Sequence, residues 1–415
     1  MRILFVLHQF YPEFSGGTEH VALNLARAAQ RAGHYAHVLA CAVGATSINQ
    51  LPSTLDGALH SVYQGVPVTL IPRAALPLEA DFSFETSPEL SERLSGWMRK
   101  ERFDLAHVLH PMRMGSVLLA LQHCGMPYLL TLTDFFAACF RINLVNVRHL
   151  ACAGPDGGSR CASECLVSPW TRASLASRYQ QAIGVLSSAG MRVCPSEYVA
   201  GRYRGIFPDQ DFVVIPHGID LLAIAERGSG SFDRKSEGLT FGFIGSIIPQ
   251  KGLDFLLRAF ARVEGKNLRL KVIGGLHGEP AYQRDINRLV AADTRVELLG
   301  WLPAKQVFQE IQTLDLLCLP SRVPETFSLV LHEAAAAGVP AMVSAMGAPC
   351  ERVARHGGGL VLPVDDEDAW VDAIASLVDR PGQLHYWRAN LPLPLRLEEE
   401  AFFYESLYRR LLRPT

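Results

Sequence analysis

The chain has 415 residues, 49% of them hydrophobic and 19% charged, with a formal net charge of −2. This length and apolar content predict two or three globular domains and exclude an intrinsically disordered protein. The near-neutral charge argues against a nucleic-acid binder, because such proteins carry a basic field. No apolar run reaches the roughly 18–20 residues of a membrane span, and the first residues do not resemble a signal peptide, so we expect a cytoplasmic protein.

Short apolar runs alternate with helical patterns through the first half of the chain. Continuous apolar runs without alternation are typical of strands in a parallel sheet that is covered on both faces. The predicted helices are 19–32 and 116–123, and the predicted strands are 3–7, 37–40, 105–109, 128–131, 193–194 and 213–215.

A second series begins after a stretch rich in Gly, Ser and charge at 221–238, which we interpret as a linker or an exposed loop. Two such series imply two Rossmann-like domains, 1–220 and 239–396, that face each other across a cleft. The second series predicts strands at 240–244, 268–273, 296–298, 316–319, 341–343 and 359–362, and helices at 253–263, 281–292, 304–312, 329–337, 369–379 and 397–412.

The first chemical signal is a glycine pair, Gly16-Gly17, between the first predicted strand and a helix. Paired glycines let a ligand approach the backbone closely, and a helix N-terminus offers N–H groups to an anion. A simple strand-to-helix turn is the alternative interpretation. The spacing differs from the G-x-G-x-x-G dinucleotide fingerprint, which disfavours a nicotinamide enzyme.

A similar strand–loop–helix pattern recurs from Phe243 to Gly252 and contains Lys251. A lysine at the end of a strand can neutralise a diphosphate as a compact point charge, without a metal ion. The alternative is an ordinary surface lysine in a loop.

Two glutamates, Glu325 and Glu333, stand eight residues apart around a predicted helix. Over a helix this separation is roughly 12 Å at 1.5 Å per residue, which suits a ligand with a sugar at one end and a ribose at the other. The alternative is that Glu325 interacts with the helix dipole and Glu333 is solvated. The small residues 334–337 beside Glu333 favour close packing instead.

Taken in order, these motifs resemble the retaining glycosyltransferases of family 4, which have the GT-B fold. The resemblance covers nearly the whole chain, and it implies that a C-terminal helix, 397–415, crosses back onto the first domain. The motifs that carry it are the Gly16-Gly17 loop, 194–198, 215–220, 245–252, the Glu325–Glu333 pair and 336–340.

The resemblance implies that a nucleotide-diphosphate sugar binds to the second domain and to the Gly16-Gly17 loop, with the acceptor on the first domain. Lys251 would contact the diphosphate and Glu325 the donor sugar, both as catalytic residues. Glu333 would bind the ribose hydroxyls. The implied donor-binding residues are Gly16, Gly17, Thr133, Asp134, Gly245, Ser246, Lys251, Gly274, Gly300, Thr326, Phe327, Ser328 and Glu333.

Two positions depart from the family pattern. Ser246 stands where relatives commonly have arginine, so Lys251, helix N-termini or another arginine would have to carry the leaving-group charge. Thr133 stands where many relatives have the histidine of a His-Asp pair. His110, at the end of a predicted strand, is then the nearest candidate for a catalytic histidine, and a strand-end histidine without catalytic role is the alternative.

The resemblance predicts sugar transfer with retention to a glycan, lipid-linked or small-molecule acceptor, for a cell-surface glycan or another glycoconjugate. No catalytic metal is expected. The alternatives are a GT-B phosphorylase and a nucleotide-sugar-binding protein without transferase activity, which Ser246 and Thr133 would favour.

Four cysteines, Cys139, Cys152, Cys161 and Cys165, lie within 27 positions of a Gly-rich insert. A structural zinc ion could stabilise such an insert, which has little core of its own. Free thiols and disulfides are the other interpretations.

Eight arginines between Arg141 and Arg204 outnumber the acidic residues Asp156, Glu164 and Glu197 of that stretch. This excess indicates either a solvated face or contact with a lipid-diphosphate acceptor or an anionic membrane.

Overall fold

The computed structural model describes residues 1–44, 55–168, 170–220, 238–265 and 267–413. These residues form two compact α/β units: unit 1 is Met1–Gly218 with Leu397–Thr415, and unit 2 is Ile219–Arg396. Of the predicted linker 221–238, residues 221–237 lie outside the described part of the chain.

Unit 1 is built on one sheet. Its described strands are β1 (Arg2–Val6), β2 (Tyr35–Ala42), β3 (Leu59–Tyr63), β4 (Val66–Pro72), β5 (Leu105–Val108), β6 (Tyr128–Thr131), β7 (Met191–Cys194) and β8 (Val213–Val214). Their order across the sheet is β3-β4-β2-β1-β5-β6-β7-β8. The pairs are parallel except that β3 runs antiparallel to β4.

The helices of unit 1 cover this sheet. Those before the second unit are α1 (Gly17–Arg31), α2 (Pro88–Glu101), α3 (Gly115–His123), α4 (Ser159–Glu164), α5 (Arg172–Ser188) and α6 (Glu197–Ile206). The central strands β1 and β5 are almost fully buried, as their continuous apolar sequence predicts. The six strands predicted in this half are confirmed, within two residues at each end.

Several elements of unit 1 carry too weak a pattern to be predicted. The β3–β4 hairpin contains Pro67 and polar residues, and the antiparallel pairing with β4 gives β3 its place in the sheet. Helix α2 begins at the Ser87 cap, whose Oγ accepts from the N–H of Leu90 at 3.3 Å. Buried Leu94 and Trp97 then hold this helix on the core.

Unit 2 contains a second, fully parallel sheet. Its described strands are β9 (Leu239–Ile244), β10 (Leu268–Ile273), β11 (Val296–Gly300), β12 (Leu316–Leu319), β13 (Ala341–Ser344) and β14 (Gly359–Leu362), in the order β11-β10-β9-β12-β13-β14. Its helices are α7 (Leu253–Ala261), α8 (Pro280–Ala292), α9 (Ala304–Ile311), α10 (Leu329–Ala336), α11 (Gly347–His356), α12 (Glu367–Asp379) and α13 (Gly382–Ala389). The predicted fold class of two parallel-sheet α/β domains is confirmed.

The last helix, α14 (Leu397–Leu411), packs on unit 1. Its buried Tyr408 lies 2.7 Å from Nδ1 of His107 on β5, and its buried Tyr404 lies 3.0 Å from Oγ1 of Thr131 on β6. Since these hydroxyls satisfy polar groups inside the unit 1 core, α14 is an integral part of that core.

Within the described ranges, no helix combines the length and the apolar content that crossing a membrane requires.

Parallel strands place their carboxyl ends at one edge of each sheet. The order in which successive strands are added to the sheet reverses between β1 and β5 in unit 1 and between β9 and β12 in unit 2, although the strands of both pairs are parallel. Loops at such switch points are the usual ligand-binding positions of open α/β sheets.

Candidate functional site

Three of the predicted glycines meet at the carboxyl edge of the unit 2 sheet. Gly245 follows β9, Gly274 follows β10 and Gly300 ends β11, with φ angles of 151°, 148° and 69°. The N–H of Gly274 donates to the carbonyl of Gly300 at 2.8 Å, and a Cβ added to Gly274 would overlap the carbonyl oxygen of Gly245. A side chain would therefore not fit at Gly274, whereas Gly245 and Gly300 have open space around an added Cβ and glycine is favoured there by the positive φ alone. Ser246, the next residue, is exposed.

The turn after β9 brings Lys251 to the loop after β12. A short 3₁₀ helix, Pro249–Lys251, ends at Gly252, whose φ is 71°. A Cβ at Gly252 would overlap the carbonyl oxygen of Pro320, so glycine permits the close approach of the two loops. As a result, Lys251 Nζ lies 3.0 Å from Glu325 Oε1.

Two side chains contact Oε1 of the Glu325 carboxylate. Its Oε1 accepts a hydrogen bond from Ser321 Oγ and pairs with Lys251. Burial alone would raise the pKa of this carboxyl, but the charge of Lys251 and the Ser321 hydroxyl hold it below the usual value. The structure thus joins two residues that the sequence predicted separately into one ion pair.

Gly347, which the sequence analysis missed, supports the backbone of Glu325. The N–H of Ala348, in the first turn of α11, donates to the carbonyl of Glu325 at 2.8 Å. A Cβ on Gly347 would lie 2.6 Å from both the nitrogen and the oxygen of Glu325, and the φ of Gly347 is +74°. The sequence could have indicated Gly347, because it stands between a predicted strand and a helix, as Gly16-Gly17 does.

The loop from Thr326 to Ser328 leads into α10, which begins at Leu329. Glu325 therefore lies four residues before the helix, so the rise of 1.5 Å per residue applies only to the part of the Glu325–Glu333 segment from Leu329 onward. Phe327 is buried and stacks on His332 with ring centroids 3.9 Å apart, and Ser328 has a φ of +69°. These contacts fix the path of the backbone that follows Glu325.

Glu333 lies on α10, one turn after its start. The side chain is partly buried beside Ala334. Burial raises the pKa of its carboxyl to about 7. A carboxyl that loses solvation in this way gains from a ligand that donates hydroxyl hydrogen bonds to it.

Arg322 is the nearest arginine to the Lys251 turn, and its backbone N–H donates to the carbonyl of Gln250 at 2.9 Å. Its guanidinium lies 3.0 Å from Asp254 Oδ1 and also pairs with Asp365. Two carboxylates thus balance the charge of Arg322.

In unit 1, the loop that contains Gly16 and Gly17 lies beside the carboxyl end of β6. Gly16 is the N-cap of α1 and Gly17 is its first residue. Thr18 Oγ1 lies 3.3 Å from Thr133 Oγ1, and Thr133 Oγ1 donates to the carbonyl of Leu109 at 3.1 Å. The structure therefore brings Gly16, Gly17 and Thr133 together at the carboxyl edge of this sheet.

His110 and Asp134 form a hydrogen-bonded pair at the same edge. The backbone N–H of Met112 donates to Nδ1 of His110 at 3.2 Å, so the ring proton resides on Nε2 and is donated to Asp134 Oδ2 at 2.7 Å. Asp134 Oδ1 accepts from the N–H of Phe136 at 2.8 Å. The His110 side chain is 3% exposed and that of Asp134 28%. Both His110 nitrogens therefore have hydrogen-bond partners, and Asp134 is the more exposed side chain of the pair.

Two residues missed by the sequence analysis, His8 and Glu19, complete this edge. The rings of His8 and His110 lie 4.0 Å apart, and His8 Nε2 lies 3.9 Å from Glu19 Oε1. Burial, with the nearby His110 and Arg113, holds the pKa of His8 well below its usual value, and burial raises the pKa of Glu19. Glu19 Oε2 occupies the space of a Cβ at Gly16, at 2.6 Å, which explains the first glycine of the pair.

The four cysteines of the insert lie near one another, since Cys139, Cys152 and Cys165 all act on the pKa of Cys161. A structural zinc ion at these thiols stays a prediction. All nine cysteines of the chain are free thiols, and no three His, Cys, Asp or Glu side chains in the described ranges are arranged to hold a metal ion. Burial and the neighbouring thiols raise the pKa of Cys161 to about 12. Packing stabilises the insert: Phe140 and Leu175 share a buried cluster, and Arg178 donates to the carbonyl of Phe82 at 2.6 Å.

Two family models match this chain. Residues 15–221 match the model described as Glycosyltransferase Family 4, and residues 238–380 match the model described as Glycosyl transferases group 1. The two matches together span most of both units.

Among curated proteins, the chain is similar to the D-inositol 3-phosphate glycosyltransferase of Stackebrandtia nassauensis. The two are 26% identical over 356 residues, which is 80% of this chain and 73% of that protein. The protein of the same name from Mycobacteroides abscessus is 31% identical over 181 residues, or 43% of this chain and 39% of that one. The similarity to several such relatives thus spans about two fifths of their length.

Among solved structures, sucrose-phosphate synthase from Thermosynechococcus elongatus has the same fold, with a TM-score of 0.69 at 19% identity over 99% of this chain and 98% of that one. Anabaena HepE in complex with UDP and glucose gives a TM-score of 0.70 at 17% identity over 98% of this chain and 99% of that one. At these identities the likeness concerns the fold.

Proposed function

Because the chain belongs to glycosyltransferase family 4, we propose that it transfers a sugar from a nucleotide-diphosphate donor to a hydroxylated acceptor, with retention of anomeric configuration. The observation that carries the proposal is the Lys251–Glu325 ion pair at the carboxyl edge of the unit 2 sheet, 3.0 Å long and followed by Glu333 on α10. This edge offers one cation and two carboxylates, which complement a diphosphate and the hydroxyls of two sugar rings.

In this proposal the donor binds along unit 2. The glycines at 245, 274 and 300 let the nucleotide approach the backbone, and Glu333 accepts hydrogen bonds from the ribose hydroxyls. Lys251 contacts the diphosphate, while Glu325 keeps that lysine in place and accepts from a hydroxyl of the transferred sugar. Removing such a preorganised charge typically raises the barrier by roughly 2.7–4 kcal/mol.

In the chemical step, the protein acts mainly by stabilising charge that develops on the substrate. As the bond to the sugar breaks, negative charge grows on the departing diphosphate, and Lys251 stabilises it. No side chain is assigned as a nucleophile, so attack occurs on the face from which the diphosphate leaves. The departing phosphate then takes the proton of the acceptor hydroxyl.

The acceptor binds to unit 1, beside Asp134 and Glu19. Glycan, lipid-linked and small-molecule acceptors all offer the hydroxyls that these carboxylates recognise. The relatives named for D-inositol 3-phosphate favour a small polyol phosphate as the first acceptor to examine, ahead of a cell-surface glycan. Ser246 and Thr133 are the residues that would suit a non-catalytic nucleotide binder, whereas the matching family models and the relatives are named as glycosyltransferases, which supports a transferase.

The first experiment is a thermal-shift screen with UDP-, GDP-, ADP- and dTDP-sugars on the wild type and on Glu333→Ala. A donor at 100 times its dissociation constant adds roughly 2.7 kcal/mol to the stability of the protein. We expect one donor to stabilise the wild type and to lose this effect in the variant. That donor is then incubated with inositol phosphate, and the anomeric configuration of the product is determined by NMR.

Stabilisation by inorganic phosphate or a sugar phosphate, and by none of the nucleotide sugars, would contradict the proposal. An inverted product would leave the transfer reaction intact and refute retention.

A further inference from the structure

Among the exposed large apolar side chains of the insert between β6 and α5, four belong to a hairpin tip and to the segment beside it. Val147 is 42% exposed, Leu150 56%, Leu166 46% and Val167 46%. We call these four residues the insert surface. Single exposed apolar residues are ordinary, but a contiguous group of them marks a site of contact with another body.

The first half of the insert surface is a built hairpin tip. Val145 and Ala151 form an antiparallel bridge that closes it. Inside the tip, the side chain of Asn146 is buried, and its Oδ1 accepts from the N–H groups of Arg148 and Leu150, each at 3.0 Å. The backbone is therefore satisfied internally, and Leu150 is held in solvent by a defined turn.

The second half, Leu166 and Val167, lies directly beside this tip. The N–H of Val147 donates to the sulfur of Cys165, which lowers the pKa that burial otherwise raises in this thiol. Asn146 Nδ2 also donates to Glu164 Oε2 at 3.0 Å. These two links join both segments, so their exposed apolar side chains belong to one surface.

The apolar surface continues through aromatic contacts. Trp170 packs on Phe140 with ring centroids 5.1 Å apart, and on the edge of Phe82 at 6.3 Å. Phe82 is itself 47% exposed. Tryptophan and phenylalanine beside an apolar tip are the residue types that occupy the boundary between water and lipid.

The hairpin tip carries positive charge, although the whole chain carries a formal charge of −2 and although Glu79 and Glu85 lie beside Trp170. Arg148 and His149 are exposed between Val147 and Leu150, and Arg172 is exposed at the start of α5. Arg141 and Arg160 lie in the same insert, where the acidic residues are Asp156 and Glu164. Glu164 is the carboxylate already engaged by Asn146.

We propose that the insert surface docks unit 1 on an anionic lipid bilayer. The apolar side chains of the tip enter the boundary between headgroups and acyl chains, and the arginines bind lipid phosphates. An exposed apolar tip that also carries Arg148 offers the two features that bind an anionic bilayer, apolar side chains for its boundary region and a cation for its phosphates. This inference is independent of the proposed sugar transfer.

The test is co-sedimentation of the full-length protein with vesicles of phosphatidylcholine, with and without phosphatidylglycerol. We expect binding to the anionic vesicles, with an affinity at least about tenfold above that for the neutral ones, and we expect it to weaken in high salt. The double variant Leu150→Ser/Val167→Ser and the single variant Arg148→Glu should each bind at least about tenfold more weakly.

The matched control is Leu393→Ser, which removes an apolar side chain that is 92% exposed in unit 2. It should bind like the wild type. Circular dichroism and the thermal transition verify that each variant is folded. Equal binding by all variants, or no preference for anionic vesicles, would overturn the proposal. It would also be overturned if Leu150→Ser/Val167→Ser dissociated an oligomer in sedimentation velocity, since the surface would then cover a second copy.

Discussion

Lys251 and Glu325 depend on each other in two ways, through charge and through position. Their side chains are 30% and 11% exposed, so removing the lysine leaves a largely buried carboxylate without its cation. Stability and activity therefore respond differently to substitutions in this pair, and this difference separates a structural from a catalytic role.

Lys251→Ala should lower kcat by about 10²–10³, the cost of removing one preorganised donor, and should also lower the thermal transition. The double variant Lys251→Met/Glu325→Gln should recover much of the stability and none of the turnover. Steady-state kinetics and calorimetry measure the two effects.

The matched control is Lys271→Ala, which breaks a 2.6 Å ion pair with Glu310 in the same unit. Its kcat should remain that of the wild type. Normal turnover of Lys251→Ala would refute the role proposed for Lys251.

Glu333 gives the second prediction at this scale. Its folded-state pKa of about 7 lies above the usual value of 4.5, so the folded protein binds the extra proton. Stability should therefore fall as pH rises from about 4.5 to 7 and remain low above that range. Glu333→Gln should abolish this decline and stabilise the unliganded protein at pH 8 by about 1–3 kcal/mol.

The same variant should bind the nucleotide sugar about tenfold more weakly or worse, because it loses the charged acceptor for the ribose hydroxyls. Glu351→Gln, which removes a 3.0 Å pair with Arg355 on α11, is the control for both measurements. Urea unfolding at several pH values and donor titration by calorimetry provide the data. If the stability of Glu333→Gln varied with pH as that of the wild type does, the raised pKa of Glu333 would be contradicted.

Helix N-termini and the loops before them position the site. The start of α11 at Gly347 packs against the Glu325 backbone, as the start of α7 after Gly252 packs against the end of β12. Both contacts use a glycine with positive φ, and both lie far in sequence from the residue that they support.

Gly347→Ala should therefore displace Glu325 and reduce donor binding at least tenfold. It should also destabilise the protein by about 1–3 kcal/mol through its positive φ. Gly33→Ala is the matched control, because Gly33 has a φ of +80° and nothing within 4 Å of its added Cβ. The control should lose a similar amount of unfolding free energy through its positive φ, and it should bind the donor as tightly as the wild type does. A crystal structure of Gly347→Ala with an unmoved Glu325 would contradict this account.

At the scale of the whole molecule, the two units differ in their buried titratable groups. Unit 1 buries neutral histidines: burial lowers the pKa of His37 and of His107 to about 3. In unit 2, burial raises the pKa of Glu333. Acid therefore acts with opposite sign on the buried histidines of unit 1 and on Glu333 of unit 2.

At His8, His37 and His107 the unfolded state of unit 1 binds more protons than the folded state below about pH 6.5. These three groups should lower the stability of unit 1 as pH falls towards 3, and they should outweigh Glu19, whose raised pKa acts in the opposite direction. Unit 2 should gain stability between about pH 7 and 4.5. Hydrogen-exchange mass spectrometry at pH 7.5 and 5 should show faster global opening of β5 and α14 relative to β9 and β12 at the lower pH, after correction for intrinsic exchange. Equal changes in both units would refute the prediction.

Much of the fold was predictable because many of its elements depend on residues that are neighbours in the sequence. The strands at β6, β10, β12 and β14 were predicted to the residue, since each is a continuous apolar run bounded by turn residues. Helices with polar or mixed faces, such as α2 and α5, lacked that signal and are held by caps and tertiary packing.

By itself, the sequence determined the two α/β series, the strand–glycine–helix loops and the residues that stand at their ends, because these depend on neighbours along the chain. The tertiary structure alone decided which of those residues meet. Lys251 reaches Glu325 because β12, three strands later, pairs with β9. His110 is occupied by Met112 and Asp134, and the cysteines of the insert lie near one another. Such contacts follow from strand order and burial, and neither is encoded in local spacing.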